Sequence, residues 1–360
     1  MRALSFLLLV ACSRGPAALD TGPEVPPVLP EPIPPTEPAP PWVPPEVGPT
    51  RLVCDRDYLP AAILAVQAAS ERIRVAEFLV YEGSGVNDLL TALEAAAERG
   101  VEVRFLADEE GDGTEAAFGR LASAGIDTRF DGPARTLHNK LVVADDVAVV
   151  GSHNLTSSAL NTNHEGSVLV ADAEVAGWYA AWFDAVWDAP DLDPELAPLD
   201  RADLLPVADR GVNGALLNCL DDATSAVDVV MYAVSWNAAY PGSEVDQVLT
   251  ALEAAAERGV AVRVVLDGSA WVVDNGINSA ALDRLELAGI PVWTAPSATT
   301  THAKVLRCDD TVIVSDANWS YSGLALMHGT SLVVRDPTVV ADTVVWMDGI
   351  RAESVRVDGP

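Results

Sequence analysis

The sequence predicts an α/β fold laid down twice in one chain, and three observations support that class. The stretch TALEAAAERGV stands at 91–101 and again, unchanged, at 250–260, which marks an internal repeat rather than a coincidence of composition. Each copy is followed by a β-rich run, VEVRFLAD at 101–108 and VAVRVVLD at 260–267, and preceded by another apolar stretch, 75–81 and 229–235. Farther on, Trp182-Phe183-Asp184 answers to Trp346-Met347-Asp348 on segments that read as matching C-terminal helices. Strands alternating with helices in both copies bury their apolar faces by layering helix against sheet.

The elements follow in order along the chain. Met1-Arg2 gives a short positive start, and the apolar run Ala3 to Val10 is too short to span a bilayer as a mature helix. It ends in Leu9-Val10-Ala11-Cys12, which resembles the lipobox of bacterial lipoproteins. Residues 1–11 are therefore expected to be a signal peptide, with Cys12 lipidated and anchoring the chain to a membrane of the bacterial cell envelope. Ser13 after the cysteine resembles the outer-membrane address. Between Thr21 and Thr50 lie thirteen of the 25 prolines, so 12–50 reads as an extended polyproline-like tether that builds no core. A first half is expected over 51–190, a Pro- and Asp-rich connector over 191–211, and a second half over 212–360. In the first repeated helix Leu89, Leu90, Leu93 and Ala97 recur at helical spacing. Asp88 is placed to cap its start and Gly100 to close it in the left-handed conformation.

Composition narrows the partners. Hydrophobic residues make up 49% of 360, enough for a folded body, and the formal net charge is -31. A phosphate-rich polymer is held mostly by cationic contacts, so this acidity counts against a general nucleic-acid binder. Beyond Cys12 the cysteines are Cys54, Cys219 and Cys308, an odd number at no zinc-like spacing. A Cys54–Cys219 bridge is one pairing that an oxidising envelope would allow. No metal or cofactor site is expected.

The chemistry concentrates in two segments. His138-Asn139-Lys140 continues to Asp145 and is followed by Gly151-Ser152-His153-Asn154; His302-Ala303-Lys304 continues to Asp309 and is followed by Ser315-Asp316-Ala317-Asn318. On a strand, residues two apart share a face, so each His lies beside its Lys. A turn at Asp145 or Asp309 then brings Ser152 and Asn154, or their counterparts, back to the same place. The chain's only two lysines are Lys140 and Lys304, every other basic side chain being arginine. An ammonium is a compact, freely rotating charge that a planar guanidinium does not copy. All five histidines, His164 and His328 included, fall in the two motif regions.

These paired HxKx4D segments resemble the duplicated HKD motifs of the phospholipase D superfamily, over the folded chain from about Arg51 onward. The resemblance implies two similar halves, mixed sheets flanked by helices, meeting at a pseudo-two-fold axis with both motifs facing one pocket. The chain is then a monomer with an internal pseudo-dimer. It also implies a two-step displacement without metal: one His attacks phosphorus to form a phosphohistidine, while the other protonates the leaving alcohol and then activates water. His138, Lys140, His302 and Lys304 would be catalytic, and Ser152, Asn154 and Asn318 would help bind the phosphoryl oxygens. Glu165, in Asn163-His164-Glu165, resembles the family's downstream acid that hydrogen-bonds the catalytic imidazole. Because Gly329 stands at the aligned position of the second half, His138 is taken as the nucleophile and His302 as the general acid. Asp145 and Asp309, at their turns, are read as structural.

Two departures from the family pattern bear on activity. Asp316 puts a carboxylate where the family has a hydroxyl, to be turned away, paired with Lys304 or protonated, and Gly329 removes the second orienting acid. The expected activity is hydrolysis or transfer at a phospholipid phosphodiester. A metal-independent nuclease and a non-catalytic lipid- or anion-binding lipoprotein are the alternatives, the latter favoured by Asp316. Trp236, Trp271, Trp319 and Tyr321 are candidates for contact with acyl chains or a partner, or for packing.

Overall fold

The computed structural model describes residues 50–109 and 113–357, so the signal segment, Cys12 and nearly all of the tether lie outside the described residues. The first half runs β1 (Thr50–Leu52), α1 (Tyr58–Ala68), β2 (Arg72–Glu77), α2 (Val86–Glu98), β3 (Glu102–Ala107), α3 (Thr114–Ser123) and β4 (Asp127–Phe130). It continues with β5 (Lys140–Ala144), β6 (Val147–Gly151), α4 (Ser157–Asn161), β7 (Ser167–Ala171) and α5 (Ala173–Asp188). The second half begins β8 (Leu204–Ala208), α6 (Gly211–Asp222), β9 (Ala226–Met231), α7 (Glu244–Glu257), β10 (Ala261–Leu266), α8 (Ala270–Asp274), α9 (Ser279–Leu287) and β11 (Val292–Thr294). It ends β12 (Lys304–Cys308), β13 (Thr311–Ser315), α10 (Tyr321–Ala325), β14 (Thr330–Val334), α11 (Pro337–Glu353) and β15 (Val355–Arg356). None of the described helices is long and apolar enough to cross a membrane.

The strand orders are β1-β7-β6-β5-β2-β3-β4 and β15-β11-β10-β9-β12-β13-β14-β8. Read from its other edge, the second sheet repeats the first and adds β15. In each, three strands run parallel and the rest antiparallel. Parallel neighbours need a crossover, which the repeated helices α2 and α7 supply, whereas tight hairpins join β5 to β6 and β12 to β13. Both sheets are thus mixed and flanked by helices, as the family resemblance implies.

Local boundaries differ in three places. α2 starts at Val86 behind Gly85, whose φ is 81°, so Asp88 lies in the first turn rather than at the cap; Gly100 is left-handed at 90°, as expected. The segment read as a connector contributes β8, because Leu204 and Pro206 turn inward along the second sheet. The disulfide joins Cys219 to Cys308, with Cα atoms 5.8 Å apart, and Cys54 is buried and free. A Cys54–Cys219 bridge is not made: α6 packs Cys219 on β12 of its own half, while Cys54 follows β1 in the other.

The core has three parts. Outer clusters lie one to each half, under α1 to α3 and under α6, α7 and α9. The central cluster takes Leu141, Val143 and Val150 from the first sheet and Val305, Val314 and Leu332 from the second, together with Tyr179 and Phe183 of α5 and Met347 of α11. Because the inner faces of both sheets share this interior, apolar burial itself holds the halves face to face.

The turn aspartates each hold a network of main-chain hydrogen bonds. Both sit in the left-handed region, Asp145 at φ 48° and Asp309 at φ 50°, which a short polar side chain tolerates. The Asp145 carboxylate accepts from the N–H groups of Ser70, Glu71 and Arg72 at 2.7, 3.1 and 2.8 Å. Asp309 accepts from those of Thr224, Ser225 and Ala226 at 2.8, 3.0 and 2.8 Å. Each carboxylate ties a motif hairpin to the start of the neighbouring central strand. Partial burial works to raise both carboxyl pKa values, but these N–H donors win and lower them. Replacing either Asp by Ala should cost roughly 1–3 kcal/mol in urea unfolding at neutral pH. A lowered folded-state pKa places that advantage at pH above about 4, and it should fade as pH falls through the folded value.

Candidate active site

Each motif His lies two residues ahead of its strand, in an extended segment that pairs with the opposite half. The His138 N–H donates to the His328 carbonyl at 2.8 Å and the His328 N–H to Thr136 at 3.0 Å. Reciprocally, the His302 N–H donates to His164 at 2.8 Å and the His164 N–H to Thr300 at 2.9 Å. Four main-chain bonds therefore cross the pseudo-two-fold axis and carry both motifs to one place.

The local surroundings repeat. Lys140 and Lys304 each donate to the carbonyl of their own motif His. Their Nζ atoms lie 5.0 Å from the ring centres of Phe78 and Tyr232 respectively, a cation–π arrangement. The same rings flank the imidazoles, Phe78 at 4.8 Å from His138 and Tyr232 at 4.6 Å from His302. Both ammonium groups are buried, at 0% and 1% residue exposure.

Acids meet these cations from both halves. Glu165 lies 3.0 and 2.9 Å, through its two oxygens, from His302 Nδ1. Ser152 Oγ donates to Glu165 at 2.5 Å and Asn163 Nδ2 at 3.1 Å. The downstream acid of the first half thus serves the imidazole of the second, and the inference that His138 is the nucleophile loses its footing. The cause is the strand exchange just described, which carries the chain around His164 past the axis.

Charge balance follows from burial. Burial works to raise the Glu165 carboxyl, but His302, His153 and Lys304 bring it down to about 2. Burial pushes the His302 imidazole down to about 4 against the pull of Glu165. It pushes His138 well below the usual range, with Lys140, Lys304 and His302 adding to the effect. Lys140 is lowered by burial to about 8 despite Asp316, Glu77, Glu165 and Asp108. Asp316 is raised by burial to about 7, and its strongest opposing charge is Lys140 rather than Lys304. Its Oδ2 accepts from the Thr330 N–H at 2.6 Å.

His138, Lys140, His302, Lys304, Ser152 and Glu165 are thus brought into one cluster. Asn154 is buried and Asn318 half-buried, each with a buried Oδ1 that lacks a hydrogen-bond partner. Trp319 is core, whereas Trp271 is exposed and stacks 6.1 Å from Tyr232. Several contributors escaped the sequence reading. Asp108 and Asp131 both accept from the Leu137 N–H, at 2.9 and 3.0 Å, and Asp267 accepts from the Thr301 N–H at 2.6 Å, fixing the residue before each His. The aspartates closing VEVRFLAD and VAVRVVLD were the available signal. Asp55 with His164 and Asp209 with His328 form a second matched pair, at 3.3 and 3.0 Å.

Residues 63–187 and 216–351 match a family profile described as "Cardiolipin synthase, PLD-like domain". Cardiolipin synthase B of Salmonella typhimurium is 33% identical over 118 residues, 29% of this chain and 29% of that protein. The mitochondrial cardiolipin hydrolase of Mus musculus is 30% identical over 105 residues, 29% of this chain and 47% of that protein. The chain thus spans less than half the length of either relative. Among solved structures, phosphatidylserine synthase of Haemophilus influenzae superposes with a TM-score of 0.69 at 13% identity, covering 86% of this chain and 87% of that one. Polyphosphate kinase of Porphyromonas gingivalis gives 0.64 at 17%, covering 86% and 48%. Both show the fold.

The Glu165 contact has a direct spectroscopic consequence. Neutral His302 should carry its proton on Nδ1, the nitrogen facing the carboxylate, in long-range proton–nitrogen spectra. Glu165→Gln removes the anion that favours imidazolium, so the His302 pKa should fall further below about 4. An unchanged titration in the folded variant would contradict the contact.

Proposed function

The chain belongs to the phospholipase D superfamily, both halves matching its cardiolipin-synthase-type domain, and we propose that it cleaves or transfers a phospholipid phosphodiester through a phosphohistidine. The observation that carries this reading is the buried cluster in which two imidazole–ammonium couples from opposite halves meet, with Glu165 of one half on His302 of the other. The lipid substrate is supported by the names of the relatives, which act on or make cardiolipin. An anchor at Cys12 would keep the enzyme at a bacterial membrane, most simply the outer one, and the acidic surface argues against a polynucleotide substrate.

In this reading the roles follow the hydrogen bonding. Glu165 holds the Nδ1 proton of His302, leaving Nε2 with its lone pair as the nucleophile. Nε2 bonds to phosphorus as the P–O bond to the leaving alcohol breaks, and the forming imidazolium is balanced by Glu165. His138 receives no carboxylate hydrogen bond, so its imidazolium is poorly stabilised in the buried site. The anionic substrate supplies the charge that lets it form, and it then gives up its proton readily to the departing alkoxide. Water, or an alcohol in a transfer, loses its proton to His138 and displaces His302 from phosphorus. Lys140 and Lys304 offset charge on the non-bridging oxygens, and the Asn154 and Asn318 amides can donate to them.

Leaving-group dependence tests this division. On vesicles of cardiolipin or phosphatidylglycerol, with a chelator present, both His138→Ala and His302→Ala should lose on the order of a hundredfold or more in turnover. With a p-nitrophenyl phosphodiester, whose leaving group needs no proton, His138→Ala should still release one equivalent of nitrophenol and accumulate acid-labile phosphohistidine. His302→Ala should do neither. A burst from His302→Ala instead would reverse the roles, and turnover of single-stranded DNA alone would overturn the lipid assignment.

A further inference from the structure

Among the positions at which the two halves differ, one aligned pair is linked in space. The first has Ser152 with Glu165, and the second has Asp316 with Gly329. In the first half the Gly166 N–H donates to Ser152 Oγ at 3.0 Å. In the second the equivalent Thr330 N–H donates to Asp316 Oδ2 at 2.6 Å, so one carboxylate oxygen replaces the serine hydroxyl. The other takes the space of the missing acid: a Cβ at position 329 would stand 2.5 Å from Asp316 Oδ1. The carboxylate has moved from one partner position to the other, and glycine makes the room.

Its counter-charge has moved as well. Glu165 is the strongest opposing charge felt by Lys304, and Asp316 is the strongest felt by Lys140. Asp316 is itself 1% exposed, so it is shielded from bulk solvent. His138 Nδ1, for its part, is buried and meets no carboxylate, its polar neighbour being the main chain of Asp316.

Resting on the phosphodiesterase reading, we propose that Asp316 is a positioning residue, the relocated counterpart of Glu165, which supplies the counter-charge for the Lys140 ammonium while leaving His138 free of a carboxylate. The displaced acid thereby makes the two imidazoles inequivalent, one braced for attack and the other kept a strong acid. The charged groups around Lys140 are Asp316, Glu77, Glu165 and Asp108, with Lys304 as the like charge.

The composition of the chain makes the test direct. With Lys140 and Lys304 its only lysines, the protein labelled with [ε-13C]lysine gives two side-chain signals, assigned by single Lys→Arg variants. Asp316→Asn keeps an acceptor for the Thr330 N–H but removes the charge, and should lower the Lys140 titration midpoint by roughly one pH unit while moving Lys304 less. Gly329→Glu alone should lose at least tenfold in vesicle turnover and melt at a lower temperature, because its Cβ meets Asp316. Asp316→Ser with Gly329→Glu transplants the first-half arrangement, and should regain at least tenfold over Gly329→Glu and return the Lys140 midpoint towards that of the wild type. An unmoved Lys140 signal in folded Asp316→Asn, or a double variant no better than Gly329→Glu, would overturn the proposal. Should the wild type turn over no phosphodiester at all, the functional reading fails, and the lysine titrations alone decide the role of Asp316.

Discussion

Two ammonium groups, each buried and each feeling the other's charge, set the terms for everything around them. Removing an ion from water costs several kcal/mol even after the protein relaxes, and here a like charge stands nearby. The chain meets that cost with acids of equal burial, Glu165 and Asp316 first and Glu77 and Asp267 behind them. Aromatic faces add to this, Phe78 under one ammonium and Tyr232 under the other. Burial raises the pKa values of Glu77, Asp267 and Asp316 and lowers those of both lysines, and the opposite charges around each group work against that push. The cluster is therefore a single electrostatic unit whose members are supplied by strands from both halves.

Much of this was legible in the sequence. The repeated helix gave away the duplication, and the HxKx4D spacing located the imidazoles and ammonium groups because period-two alternation is a strict property of strands. Asp145 and Asp309 were readable as turn residues, but the N–H groups they hold lie far off in sequence, at the starts of β2 and β9, and gave no local signal. What escaped was long-range. No local signal says that the segment around His164 crosses to the other half, so Glu165 was set beside the wrong ring. The Cys219–Cys308 pairing depends on which face of α6 meets β12. β8 was hidden in a proline-rich segment whose composition speaks of linker, while its inward residues are placed by β14.

The acid at 316 looks disabling in the linear motif, yet in space it sits among groups that receive it. Taken alone, a carboxylate where a phosphate-binding hydroxyl is usual suggests repulsion of substrate. Its neighbours change the meaning: a main-chain donor from Thr330, an open space at Gly329 and an ammonium at Lys140.

The reciprocal main-chain bonds between His138 and His328 and between His302 and His164 also bear on why the halves share one polypeptide. In an assembly of two identical copies, each side of the axis must carry the same residues, and any mutation appears twice. Covalent fusion lifts that restriction. Each half can then change on its own while the backbone lattice between them stays symmetric, and neither half, set free, would contain the whole cluster.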